Sequence, residues 1–204
     1  QLSNMTEAYK LHIDRLAAGI ILILMLVSLM AFFIPTASAA QITSRKLTLS
    51  SSSAAASNAT TSYTFNFTVP SSTVLQSFEA QICTTASGTC TTPTGFVNSS
   101  STLSSQPTNL GDASGWTVST ATAGSLRISK SGNAAAPTGS QTVVFGNVQN
   151  PTTANQTFYA RISTFSAANW TSPVDTGVVA ASTASQITVN MTVDESLSFC
   201  AGTS

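Results

Sequence analysis

The sequence predicts an all-β protein: an immunoglobulin-like antiparallel β-sandwich preceded by an N-terminal hydrophobic signal helix. Two observations support this prediction. Beyond residue 40, apolar residues recur at every second position in short runs, and turn-forming Gly, Pro and Asn separate these runs. Alternation places one face of a strand in a core and the other in water. Short strands between closely spaced turns are typical of a sandwich, and about seven to nine strands are expected.

The alternating runs give the individual strands. Residues 63–69 carry an apolar side chain at every odd position and a polar one at every even position. The pattern recurs at residues 78–82, 126–128, 158–162, 187–193 and 197–199. Residues 143–145 are continuously apolar, which favours a central strand. The large side chains expected in the core are Phe65, Phe67, Phe78, Trp116, Phe145 and Phe158.

The N-terminal segment is typical of a signal peptide. Residues 16–33 are apolar and uncharged, and small residues follow at positions 37–40, which fits cleavage after Ala39 or after Ala40. An uncleaved membrane anchor is the alternative, because the run is near the minimum length for spanning a bilayer. The predicted domains are a signal peptide (1–40), a β-sandwich (41–185), and a terminal strand or the start of a truncated further domain (186–204).

Composition excludes several functions. Charged residues make up 7% of the 204-residue chain and its formal net charge is zero, which excludes nucleic acid as a partner because that binding needs Lys and Arg. The single histidine, His12, lies in the predicted leader, so the exported part would have no His-dependent nucleophile or zinc site. No catalytic, cofactor-binding or metal-binding residue is predicted, and no cofactor. The remaining enzyme alternative is a hydrolase whose scattered carboxylates meet in space.

Three cysteines in an exported chain are candidates for disulfide bonds. Cys83 and Cys90 flank a short segment that resembles a hairpin tip, and a disulfide is predicted between them. A metal-binding pair is disfavoured because no further ligands accompany it. Cys200 is left over, and a partner in missing downstream sequence is favoured, with an intermolecular disulfide and a free thiol as alternatives.

Several short motifs carry a resemblance to a known family. They are Cys83 and Cys90 with Pro93-Thr94-Gly95, Asn150-Pro151 ahead of residues 157–162, and residues 176–184 and 195–200. On these motifs the exported part resembles secreted Ser/Thr-rich β-sandwich surface proteins of candidate-phyla (Patescibacteria-type) bacteria. The resemblance implies secretion, a β-sandwich, and a continuation past the last cysteine. It implies no biochemical activity.

These observations favour a non-enzymatic, secreted cell-surface protein with a structural or adhesive role, able to self-assemble through strand edges that lack charge. The expected partners are further copies, other cell-surface proteins or glycans, with membrane contact only through the N-terminal segment before cleavage. The alternative is an extracellular carbohydrate- or surface-binding module. Trp116 and Trp170 are its candidate ligand-contact aromatics, although either can instead pack in the core or at its rim.

Overall fold

The computed structural model describes residues 19–20, 25, 39–55 and 60–185. The chain divides into two units, Gln1–Ser38 and Ala39–Ser204. Most of the predicted signal helix, the predicted strand after residue 185, and Cys200 therefore lie outside the described residues. Within the described part, no helix combines the length and hydropathy needed to cross a bilayer.

The second unit is a sandwich of two β-sheets. In chain order its described strands are β1 (Ala40–Gln41), β2 (Thr43–Leu49), β3 (Thr61–Thr68), β4 (Ser77–Cys83), β5 (Thr102–Thr108), β6 (Thr117–Ser119), β7 (Ser125–Ser129), β8 (Gln141–Val148), β9 (Thr157–Phe165) and β10 (Pro173–Ser182). One sheet has the order β1-β10-β9-β4-β7-β6 and the other β2-β3-β8-β5. All pairs are antiparallel except β1 with β10. The predicted antiparallel sandwich is confirmed, with ten described strands rather than seven to nine.

Alternation in the sequence corresponds to alternation in burial. Along β3, every odd residue from Thr61 to Phe67 is buried and every even residue is partly exposed. In β8, which pairs with β3, Phe145 lies opposite Tyr63, and Val143 lies opposite Phe65. The predicted core residues are all buried: Phe65, Phe67, Phe78, Phe145 and Phe158 are 0% exposed, and Trp116 is 3% exposed.

Phe78 joins the two sheets at the centre of this core. It belongs to β4 of the six-stranded sheet, and its ring centroid lies 5.3 Å from that of Phe67 and 5.7 Å from that of Phe65. The centroid of the Phe145 ring lies 6.3 Å from that of the Phe78 ring. All three partners belong to the four-stranded sheet. The aromatic contacts therefore hold the sheets face to face.

A buried polar network anchors the segment that follows β2. The Tyr63 hydroxyl donates to the side-chain oxygen of Asn150 over 2.8 Å, and the amide of Asn150 donates to the carbonyls of Ser51 and Ser53 over 2.8 and 2.9 Å. Burial raises the pKa of the Tyr63 hydroxyl, so it remains a neutral donor. The network satisfies polar groups that would otherwise be costly to bury.

Residues 40–49 pass from the six-stranded sheet to the four-stranded sheet. Ala40 and Gln41 pair with Asp175 and Thr176 of β10, and the Ile42 amide donates to the Thr176 carbonyl over 2.7 Å. Ser44 then adopts a positive φ of 48°, after which β2 pairs with β3. The parallel β1–β10 contact therefore sits at one edge of the six-stranded sheet.

Candidate functional site

The outer face of the six-stranded sheet carries three of the six charged side chains that the described strands contribute. Glu79 in β4, Arg127 in β7 and Arg161 in β9 are partly exposed, next to strand positions that are buried. By contrast, β3, β5 and β8 contain no charged residue. The charged side chains of the four-stranded sheet are therefore confined to β2, with Arg45 and Lys46.

Arg127 joins two other side chains on this face. Its Nη2 lies 2.8 Å from Oε1 of Glu79, and its guanidinium carbon lies 5.1 Å from the centroid of the Trp170 ring. The Trp170 indole N–H donates to the Phe78 carbonyl over 3.3 Å. The guanidinium is thus held by an ion pair and a cation–π contact.

The two tryptophans occupy different environments. Trp116 is buried, and its indole N–H donates to the Asp112 carbonyl over 3.0 Å. Trp170 lies in the loop between β9 and β10 and is only partly buried. Of the two candidate ligand-contact aromatics, only Trp170 has surface exposure. Trp116 packs in the core, which was the alternative considered for it.

Cys83 and Cys90 form the predicted disulfide, with sulfurs 2.00 Å apart and Cα atoms 5.0 Å apart. The expectation of a hairpin tip needs correction, because Cys83 ends β4 whereas Cys90 lies outside any strand. The Thr84 amide donates to the Thr91 carbonyl over 2.9 Å and closes the segment as a loop. We call residues 84–89 the disulfide loop.

Arg161 fastens the disulfide loop to the sheet. Its Nη1 donates to the Gly88 carbonyl over 2.6 Å, while Nε and Nη2 donate to the Thr85 carbonyl over 3.1 and 2.9 Å. A planar guanidinium with five donors suits this cluster of acceptors. Sequence reasoning missed this role, because 76 residues separate Arg161 from Thr85 and no local motif links them.

We expect Arg161→Ala to increase amide hydrogen exchange in the disulfide loop at least tenfold. The unfolding free energy should fall by only about 1 kcal/mol, because the hydrogen bonds are solvent-exposed and water replaces them in part. The matched control is Arg45→Ala, which removes a second arginine that borders the same face. Equal loop exchange in the two variants would contradict the anchoring role.

An open groove of about 440 Å³ lies at the β1 edge of this sheet. Its lining residues are Gln41, Arg45, Arg161, Ile162, Ser163, Thr176, Gly177 and Val178. A Cβ added at Gly177 would lie 2.7 Å from Cδ of Arg45, so glycine is what allows the arginine to lie this close to β10. Two guanidinium groups and two hydroxyls suit an anionic or hydroxyl-rich ligand.

Asp112, in the loop that follows β5, is also part of an ion pair. Asp112 lies 2.6 Å from Lys130 and accepts hydrogen bonds from the amides of Ala134 and Ala135. The hydrogen bond from Lys130 is the main reason that the pKa of Asp112 is lowered. These contacts stabilise a turn. Among the described residues, no group of three or more His, Cys, Asp or Glu side chains could hold a metal ion.

No protein-family model, curated protein or solved structure matches this chain in comparisons of sequence and fold.

Proposed function

We propose that this chain is an exported, non-enzymatic structural or adhesive component of a cell surface that assembles with copies of itself. The observation that carries the proposal is an uncharged strand edge on the four-stranded sheet. Export is supported by the predicted signal peptide and by the bonded Cys83–Cys90 pair, since disulfides persist in oxidising compartments outside the cytoplasm. The resemblance to secreted surface proteins of candidate-phyla bacteria agrees with this location.

The two edges of the four-stranded sheet differ in charge. At one edge, β2 carries Arg45 and Lys46, and charged side chains on an edge discourage pairing with another sheet. At the other edge, β5 carries no charge. The uncharged β5 edge is therefore the side of this sheet on which a further strand would meet no electrostatic barrier.

Only the first half of β5 is open to such pairing. In the second half, the Gln106 side chain donates to the Trp116 carbonyl over 3.2 Å and accepts from the Trp116 amide over 2.9 Å, which links β5 to the residue that precedes β6. Pro107 has no N–H to offer a new strand. Residues 102–105 are thus the proposed assembly edge.

The strand order also supports an immunoglobulin-like type of sandwich. The order β2-β3-β8-β5 facing β10-β9-β4 resembles the A-B-E-D and G-F-C sheets of that fold. In this chain, however, β5 comes before β6 and β7, which add to the far side of β4. The resemblance is therefore limited to the central strands. The order of β5, β6 and β7 along the chain differs from that of the immunoglobulin fold.

We expect the full chain, secreted from a bacterial host and purified, to form filaments or sheets in electron microscopy and large species in light scattering. Ser105→Lys should abolish these assemblies, because it places a charge on the exposed assembly edge. The matched control is Ser131→Lys, which adds the same charge in an exposed turn after β7 and should leave assembly unchanged.

Monodisperse monomers of the unmodified chain would overturn the self-assembly proposal. They would favour the second candidate, a carbohydrate- or surface-binding module, for which the groove containing Arg45 and Arg161 is the specific observation. Acidic glycans would then be the first ligands to screen. Assembly that survives Ser105→Lys would place the contact elsewhere than β5.

A further inference from the structure

Asp175 is a buried carboxylate without a partner. Its side chain is 0% exposed, and neither carboxylate oxygen has a hydrogen bond within the described part of the chain. Burial raises the pKa of the Asp175 carboxyl, and this effect outweighs the Thr164 hydroxyl and the Ser71 amide, which lower it. The Thr164 hydroxyl is already engaged with the Asp175 main chain. A buried charge in this state is costly unless a cation pairs with it.

The described cations are placed elsewhere. Arg127 pairs with Glu79 and Lys130 with Asp112, and these are the ion pairs of the described residues. The other three cations are Arg161, which holds the disulfide loop, Arg45, which lies against Gly177, and Lys46, which is exposed on β2. None of the described cations therefore forms an ion pair with Asp175.

Ala40 is the residue next to Asp175 on the neighbouring strand. The two are register partners in the parallel β1–β10 pair. Ala40 itself is exposed at the start of β1, but by the two-residue period its side chain lies on the same face of the sheet as fully buried Ile42 and as its register partner Asp175. Neighbouring strands lie about 4.8 Å apart, so the carboxylate of Asp175 and the backbone nitrogen of its register partner Ala40 are near each other. A positive charge on the Ala40 nitrogen would thus lie within reach of the carboxylate.

We propose that the leader is removed between Ala39 and Ala40, and that the new α-ammonium group of Ala40 forms an ion pair with buried Asp175. This inference rests on the proposed export. Water adds across the Ala39–Ala40 peptide bond under a signal peptidase, so that Ala39 departs with the new carboxylate and Ala40 keeps the amine. An α-amino group has a pKa of about 7.7–8.0 and is mostly protonated at neutral pH.

The proposal distinguishes between the two cleavage sites that the small residues allow. Cleavage after Ala39 keeps Ala40 in β1 and places its nitrogen beside Asp175. Cleavage after Ala40 removes that residue and begins the chain at Gln41, whose register partner is Thr176. Cleavage after Ala39 therefore converts an unpaired buried charge into a pair, and completes the fold at the β1 edge.

The first test is the N-terminus of the secreted product, read by Edman sequencing and intact mass after expression of the full chain in a bacterial host. We expect Ala40. Failure of the chain to leave the cytoplasm would remove the export premise itself, whereas export without cleavage would overturn only the present inference. Cleavage at another bond would overturn only the inference drawn from Asp175, so the two failures are distinguishable.

The second test measures the ion pair. A factor Xa recognition sequence replaces residues 36–39 of the full chain, so that cutting exposes Ala40 at a chosen moment in mild detergent. Cutting should raise the Tm by several degrees. In the Asp175→Asn variant, the uncut chain should be as stable as the unmodified uncut chain or more stable, and cutting should raise the Tm no further.

The matched control shifts the recognition sequence to residues 37–40, so that cutting leaves Gln41 first and also removes the arginine that ends the recognition sequence from the position beside Asp175; the Tm should then stay unchanged or fall. A second control, Arg45→Ala, should keep the gain, since Arg45 is the nearby cation that could otherwise turn toward Asp175. An unchanged Tm on cutting before Ala40, an equal gain with Asp175→Asn, or an equal gain before Gln41 would each overturn the proposal.

Discussion

Phe78→Ala is expected to lower the unfolding free energy by about 3–5 kcal/mol, the largest loss among the substitutions considered for this domain. Phe78 is 0% exposed, and its ring contacts Phe65, Phe67 and Phe145 of the facing sheet. Truncation removes a large apolar side chain and leaves a cavity between two sheets that cannot close freely. Urea-induced unfolding followed by circular dichroism would measure the loss.

Val144→Ala is the matched control for Phe78→Ala. Val144 is an apolar residue of β8, but its side chain is only partly buried, between the inward Val143 and Phe145. Its truncation should cost less than about 1 kcal/mol, because little apolar area returns to water and no enclosed cavity forms. A loss from Phe78→Ala no larger than that from Val144→Ala would contradict the central role of the aromatic cluster.

Loss of the Cys83–Cys90 disulfide is the second large effect, with an expected decrease of ~2–3 kcal/mol in unfolding free energy. The disulfide closes a short loop, with a separation of 7 residues, so its contribution comes mainly from restricting the unfolded chain. The double substitution of Cys83 and Cys90 by serine should shift the urea midpoint downward. Reduction of the unmodified protein should produce a similar shift.

Two comparisons test this interpretation. Cys200→Ser should leave the urea midpoint unchanged, because Cys200 takes no part in the Cys83–Cys90 disulfide. Arg161→Ala combined with the double serine variant should cost more than the sum of the separate losses, since Arg161 and the disulfide hold the same loop. A midpoint that is insensitive to the double serine change would show that the loop is already ordered without the disulfide.

The features determined by the sequence alone are those that depend on neighbouring residues. The two-residue period of residues 63–69 predicted β3, because side chains of a strand point alternately to opposite faces. Cys83 and Cys90 predicted their disulfide, because a short separation limits where the two sulfurs can lie. The same alternation identified Phe65 and Phe78 as core residues.

The tertiary structure decided which distant residues meet. Arg161 reaches the disulfide loop, and Ala40 reaches Asp175, across separations for which the sequence has no local pattern. The difference between buried Trp116 and partly exposed Trp170 has the same origin, because neither lies within a long alternating run. Strand order and register set these contacts, and both depend on how all strands pack around one core rather than on any single segment.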